Sequence, residues 1–174
     1  MQLGSKTNSN EGKGNEQMTP QEFIDKLKSA AQECHRKHGV PASFTLAQGA
    51  LESGWGKSQL ANSGCNLFGV KADASWHGAV TVIQTREWFK GQWVVVPAKW
   101  RCYQNWLECL EDHAEFFKSN PRYKACFKET TGEGWAHAVA SAGYATDPDY
   151  AAKVIAVIHS HNLSQYDNQT EGGV

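Results

Sequence analysis

The sequence predicts a mainly α fold of the α+β class, a helical body carrying one small β-hairpin lobe with a groove between them. Three observations carry that prediction. Apolar residues recur at helical spacing behind N-terminal caps at Thr19-Pro20, Asn105 and Asp147-Pro148. One stretch, Ala79 to Val96, shifts to a period of two. The chain has 174 residues, enough for one compact domain that buries roughly 70% of its unfolded surface.

The chain divides into a leader over residues 1–18, a single domain over 19–163 and a flexible tail over 164–174. Met1 to Gln17 is rich in Gly, Ser, Asn, Lys and Glu and has no apolar core, so it reads as disordered and not as a secretory signal. The first helix opens at Thr19-Pro20-Gln21-Glu22, which supplies a cap, a first-turn Pro and a Glu three after the cap. Phe23, Ile24, Leu27, Ala30, Ala31 and Cys34 form its apolar stripe, and Gly39 and Pro41 end it. A second helix runs from about Pro41 to Glu52, with Phe44, Ala47, Ala50 and Leu51 facing inward and Gly54 as the stop. Asn62 to Trp76 reads as loop.

In the hairpin, Thr81, Ile83, Thr85 and Glu87 share one face and Val80, Val82 and Gln84 the other. Lys90-Gly91 is the turn, and Trp93 to Val96 the return strand. Asn105 and Glu108 cap a helix carrying Trp106, Leu107, Leu110, Ala114 and Phe117, closed by Asn120-Pro121. Shorter helical pieces follow at Tyr123 to Lys128 and Gly134 to Ala142. A last helix starts at Asp147-Pro148 and reaches about Asn162.

The charge balance, 17 basic against 18 acidic residues, favours neither nucleic acid nor an anionic membrane as partner. No run approaches the roughly 20 apolar residues that cross a bilayer. Seven Trp, five Tyr and seven Phe are many for this length; most must be core, but sugar sites also use aromatic rings, which stack on pyranose faces. Five cysteines, Cys34, Cys65, Cys102, Cys109 and Cys126, cannot all pair within the chain. Two disulfides and a thiol fit an oxidising compartment; five thiols fit the cytosol. Cys34-His35-x-x-His38 has no second cysteine pair at ligand spacing and lies in predicted helix. No metal or organic cofactor is implied.

Glu52 is the candidate acid. Glycoside cleavage needs a carboxyl that still holds its proton near neutral pH. A Glu in the last turn of a helix meets the negative end of the helix dipole, which disfavours its ionised form, and Trp55 is close enough in sequence to desolvate it. Spacing alone leaves a second reading, a solvated surface Glu. Gln48, one turn earlier on the same face, could position the carboxylate by hydrogen bonding.

Three segments in order add to this: Leu51-Glu52-Ser53-Gly54-Trp55-Gly56, Asn66-Leu67-Phe68-Gly69-Val70-Lys71 and Gly143-Tyr144-Ala145-Thr146-Asp147-Pro148. Together they resemble the bacterial N-acetylglucosaminidases of glycoside hydrolase family seventy-three, which include the wall-cutting domains of flagellar rod-assembly proteins and many autolysins. The resemblance spans roughly Thr19 to Leu163. It implies a lysozyme-like helical core and hydrolysis of the β-1,4 bond between N-acetylglucosamine and N-acetylmuramic acid in peptidoglycan.

By the same resemblance Glu52 is the general acid and Tyr144 an active-site hydroxyl. Glu87, in Thr85-Arg86-Glu87, matches the second carboxylate of several relatives and is the candidate general base. Asp147 is better explained as a helix cap. Asn66, Phe68 and Gly69 shape the loop beneath Glu52, and Trp55, Phe68 and Trp76 are the aromatic candidates for the groove; Gln48 and Asn66 complete the expected substrate-binding set.

Two routes for water stay open: activation by Glu87, which needs the carboxyls about 6.5–9.5 Å apart, or assistance by the substrate's own N-acetyl group. The rival readings are a lytic transglycosylase and a non-catalytic wall-binding module. The expected site of action is the periplasm or cell wall. Without an export signal in the leader, delivery would fall to a specialised secretion system, to phage lysis or to a leader lost by trimming. An antibacterial toxin delivered in this way would have a cognate immunity protein occupying the groove.

Overall fold

The computed structural model of the protein describes residues 18–168. The predicted disordered leader to Gln17 and the end of the predicted flexible tail lie outside the described residues. Within them, six α-helices surround a buried core and one two-stranded antiparallel sheet projects from it.

Helix α1 (Pro20–His38) starts on the predicted capping box: Thr19 accepts from the Glu22 N–H, and the Glu22 carboxylate accepts from the Thr19 N–H at 2.8 Å. Its stripe of Phe23, Ile24, Leu27, Ala31 and Cys34 is buried, and Gly39 closes it at φ 78°. Helix α2 (Ala42–Ser53) packs against α1, α5 (Gly132–Ser141) and α6 (Tyr150–Ser160). Every residue from Ala42 to Ala50 is buried, so a one-sided stripe understates it. Small residues permit this: a side chain at Gly49 would meet Leu27, Phe23 and Leu67. Leu51, expected inward, is 39% exposed, because the helix surfaces from the core in its last turn.

Helix α3 (Gln59–Gly64), where the pattern read partly as loop, is a short capped turn that buries Ala61 and Gly64. Six residues carry too few apolar positions for periodicity to register. The hairpin follows as predicted, β1 (Val80–Phe89) against β2 (Gln92–Arg101). Lys90 and Gly91 form the turn with φ of 49° and 81°, the left-handed pair that tight hairpins require. The return strand reaches Arg101 and not Val96. Pro97 reads as a strand breaker, but a two-stranded sheet has a free edge on each strand, where a missing N–H goes unnoticed.

Helix α4 (Trp106–Ser119) opens on the predicted Asn105 cap and buries Cys109, Leu110, His113, Ala114 and Phe117. A 3-10 helix over Pro121–Lys128 and then α5 follow. Helix α6 begins at Tyr150, later than expected. Asp147 does act in that turn, its carboxylate accepting from the Asp149 N–H at 2.9 Å and pairing with Lys153. Beyond α6 the chain is still anchored: Leu163–Tyr166 is a 3-10 turn, and the Asp167 carboxylate accepts from the backbone and hydroxyl of Ser43. The first residues of the expected flexible tail are therefore part of the domain. Phe44, Phe117, Tyr123 and Trp135 interlock at the centre with ring centroids 5.1–6.1 Å apart; truncating one of the two Phe rings to Ala costs about 3–5 kcal/mol.

Candidate active site

The end of α2 is built to present Glu52. Gly54, Trp55 and Gly56 all adopt positive φ, of 58°, 61° and 74°. A side chain at Gly56 would approach Phe23 to 3.1 Å as well as straining the backbone. Ser53 clamps the turn, donating to the Gly49 carbonyl at 2.6 Å and accepting from the Gly56 N–H at 2.7 Å. Trp55 is a non-glycine residue held in the left-handed region, and its ring packs edge-on against Phe23 and against His161. The expected groove aromatic is thus half-buried in the helical body, anchoring the turn that carries Glu52.

The Glu52 side chain reaches solvent, yet the surrounding protein desolvates its carboxyl and raises its pKa above the ordinary carboxylate range. Two tyrosines stand within its field. Burial first, and then the Glu52 charge, push the Tyr144 and Tyr150 hydroxyls upward, so both stay protonated donors. Their rings lie 5.4 Å apart.

Behind them runs a buried chain of hydrogen bonds. The Gln48 amide donates to the Tyr150 hydroxyl at 2.7 Å, and its oxygen lies 2.9 Å from His113 Nε2. His113 is stacked on Phe68 at 3.8 Å between centroids, with Phe116 on its other side. Burial pushes its pKa down to about 3; the neutral ring donates through Nε2, the proton assignment that suits the Gln48 oxygen. Gln48 is fully buried. Its amide is taken up by Tyr150 and His113 and does not bond to Glu52 as expected, so it bears on the site through Tyr150.

Asn66 is likewise fully buried. Its amide donates to the carbonyls of Val70 and Arg101 at 2.9 Å and accepts from the Val70 N–H at 2.9 Å, which ties the loop to the root of the hairpin. That is the loop-shaping role, with no surface left for substrate. Phe68 and Tyr144 line a cavity of about 380 Å³ with His113, Asp112 and Arg101. Arg101 is held at this wall by one guanidinium nitrogen that donates to both Asp112 oxygens at 2.9 Å, and Asp112 also accepts from Tyr103 at 2.7 Å.

Glu87 lies on the β1 face shared with Thr81, Ile83 and Thr85, the three of which are half-buried while Val80 and Val82 on the other face are exposed. That face is the hairpin's inner one. Glu87 accepts from Lys71 Nζ at 3.0 Å and is about half exposed. Trp76 is clamped at the hairpin root: its indole donates to the Ala79 carbonyl at 2.9 Å, Tyr103 meets it edge-on, and the Arg101 guanidinium lies 4.7 Å from its ring.

Of the expected site residues, Glu52 and Tyr144 come together at the end of α2 and Phe68 shares a cavity with Tyr144, while Glu87 stands on the hairpin, paired with Lys71. Sequence reasoning missed Tyr150 and His113. His113 had a signal, since Leu110, His113, Ala114 and Phe117 share one helical face; Tyr150 had none beyond opening the last helix. All five cysteines are free thiols. Cys34 sits in the helix interface with its thiol raised to about 12 by burial, and His38 pairs with Glu115.

The glucosaminidase family model, described as mannosyl-glycoprotein endo-beta-N-acetylglucosaminidase, matches residues 28–163. Peptidoglycan hydrolase FlgJ of Salmonella typhimurium is 44% identical over 141 residues, which are 79% of this chain and 45% of that protein. Exo-glucosaminidase LytG of Bacillus subtilis is 39% identical over 152 residues, 84% of this chain and 53% of that protein. The solved structure of a C-terminally truncated glycoside hydrolase domain from Salmonella typhimurium FlgJ matches with a TM-score of 0.74 and 42% identity, covering 83% of this chain and 98% of that one. The chain therefore spans about half the length of the curated relatives it matches.

Proposed function

The chain belongs to the glucosaminidase family of glycoside hydrolases, and on that premise we propose that it hydrolyses peptidoglycan at the β-1,4 bond between N-acetylglucosamine and N-acetylmuramic acid, with Glu52 as general acid. The observation that carries this reading is a carboxyl on a helix C-terminus, made a better proton holder by desolvation and flanked by two protonated tyrosines.

In the reaction, Glu52 donates its proton to the leaving oxygen as positive charge develops on the sugar ring. Its loss of the proton leaves a carboxylate beside Tyr144 and Tyr150, whose hydroxyls can stabilise it or hold the N-acetyl group. Gln48 keeps Tyr150 in place from behind. Glu87 acts as the base that takes a proton from the attacking water. Its position on the hairpin face that carries the half-buried Thr81, Ile83 and Thr85 supports that role, and Lys71 holds its side chain there. The substrate lies outside the cytoplasm, so the enzyme acts in the periplasm or cell wall. No helix among the described residues is long and apolar enough to cross a membrane.

Incubation with purified peptidoglycan tests the proposal. The wild type releases reducing ends and the Glu52→Gln variant does not; an active variant overturns the assignment. Mass spectrometry of the fragments separates the rivals. Reducing N-acetylglucosamine ends support hydrolysis, anhydro-muramic ends would make the protein a lytic transglycosylase, and wall binding without release would make it a binding module.

A further inference from the structure

The hairpin carries an apolar surface that the hydrolase reading does not use. Strand register places Val82, Trp88, Trp93, Val95 and Pro97 on the outer face, away from the helical body. Trp88, Trp93, Val82 and Val95 are 56–64% exposed, and so is Phe89, at 57%, on the opposite face of the tip. An exposed Trp pair directly opposite across a turn, with a Phe behind it, is a patch that a water-facing hairpin does not need.

The charges around this patch have one sign. Arg86 and Lys99 share the outer face and Lys90 sits in the turn, all exposed. Arg86 leans over Trp93 and Lys90 over Phe89, at 5.7 and 5.2 Å from the ring centres. The outer face between Val80 and Trp93 carries no carboxylate; Glu87 lies on the inner face and is paired with Lys71. A chain whose charges sum to −1 thus has a locally cationic hairpin.

We propose that this hairpin tip docks on an anionic phospholipid bilayer, with Trp88, Phe89 and Trp93 entering the interfacial layer and Arg86, Lys90 and Lys99 meeting lipid phosphates. Two features favour lipid over a glycan strand or a protein. Exposed aromatic rings stand on both faces of the tip, Trp88 and Trp93 on one and Phe89 on the other, and a rigid partner covers one face while a lipid interface reaches both. Trp88 and Trp93 are also packed edge to face, 5.3 Å apart at 68°, with β-branched Val95 beside them. That arrangement offers little flat surface for a pyranose but suits the headgroup layer, where amphipathic aromatic rings collect. Docking there would hold the groove against membrane-proximal wall. The proposal does not depend on the hydrolase reading, because lipid binding is read without turnover.

The test is co-sedimentation of the full chain with vesicles of phosphatidylglycerol and phosphatidylethanolamine, compared with phosphatidylcholine alone. The wild type is expected to sediment with the anionic vesicles and not with the neutral ones. Each cation near an anionic surface contributes about fivefold in affinity, so Arg86→Gln with Lys90→Gln weakens binding about 25-fold. Trp88→Ser with Trp93→Ser removes sedimentation while the far-ultraviolet circular dichroism and the thermal midpoint of the helical body, which report an intact fold, are unchanged. Quenching of wild-type tryptophan emission by lipids brominated in their acyl chains gives a second measure that needs no variant. No sedimentation of the wild type, or sedimentation that both double variants retain, overturns the proposal. So does loss of retention on insoluble wall by the tryptophan variant without any vesicle binding, which would make the tip a wall contact.

Discussion

His113 makes the fold sensitive to acid, and its contribution can be isolated. Burial holds the imidazole neutral with a pKa of about 3, whereas a solvated histidine titrates near 6.5. Between those values the unfolded chain takes up a proton that the folded chain refuses. A lowered folded pKa contributes nothing unfavourable above about pH 6.5 and removes stability progressively as the pH falls toward 3. At pH 4.5 the unfolded state lies about two units below its own pKa, which at about 1.4 kcal/mol per unit amounts to roughly 2–3 kcal/mol. His113→Gln isolates this loss. The amide can still donate to the Gln48 oxygen, now 2.9 Å from the ring nitrogen, but it takes no proton. Urea unfolding of both proteins at pH 7.5 and 4.5 measures the double difference, in which every other titrating group cancels. The wild type should lose about 2–3 kcal/mol more than the variant on acidification, or roughly 4–12 °C in Tm. Equal losses would mean that the ring is solvated or already charged in the folded state, and the account of a neutral His113 supporting Gln48 would be wrong.

Other outcomes follow from the same geometry. Glu52→Gln should cut wall hydrolysis by about 10²–10⁴-fold, the share a general acid supplies. Because the folded pKa of Glu52 is raised, its ionised form is penalised as pH rises through that value, so at pH 8 the Gln variant should unfold at a urea concentration no lower than the wild type; a lower midpoint would contradict the desolvation. Glu87→Gln should reduce kcat by a similar factor with little change in KM if Glu87 is the base. Full activity in that variant, followed by reducing-end release, would pass the role to the substrate's N-acetyl group. Asp112→Ala leaves one nitrogen of the half-buried Arg101 guanidinium without its carboxylate and Tyr103 without its acceptor. Arg101 keeps Asp73 and the Lys71 carbonyl as partners, so the loss is that of a charged hydrogen bond, about 1.5–3 kcal/mol in urea unfolding, with faster hydrogen exchange in β1 and β2, which Arg101 ties to α4.

The helices were legible because their ends are written in local chemistry. Thr19-Pro20 with Glu22, and Asn105 with Glu108, satisfy orphan backbone groups within four residues, and the structure uses both as read. What escaped was long-range. Gln48 looked like a partner of Glu52 because a helix brings those positions to one face. Its real partners, Tyr150 and His113, are 102 and 65 residues away in sequence. Asn66 looked like a site residue because it opens a motif, yet the motif's first job is to bind the loop to Arg101, 35 residues on. Spacing reports neighbours on one element; it is silent about which elements meet.

Glu52 was visible for a different reason, which the two helix ends beside each other make plain. Both α1 and α2 stop at a glycine in the left-handed conformation. The last turn of α1 holds His35, Arg36, Lys37 and His38, the charges that a helix C-terminus favours. The last turn of α2 holds no basic residue and carries a carboxylate against the dipole. A neutralising lysine there would be the better choice for stability, so the fold tolerates a local cost at this one end. The same end carries the strained Trp55 and the Ser53 clamp, which hold the turn in place despite that cost. Local rules are broken where a site needs what they forbid. Here the forbidden thing is a carboxyl reluctant to ionise, which is the property proton donation requires.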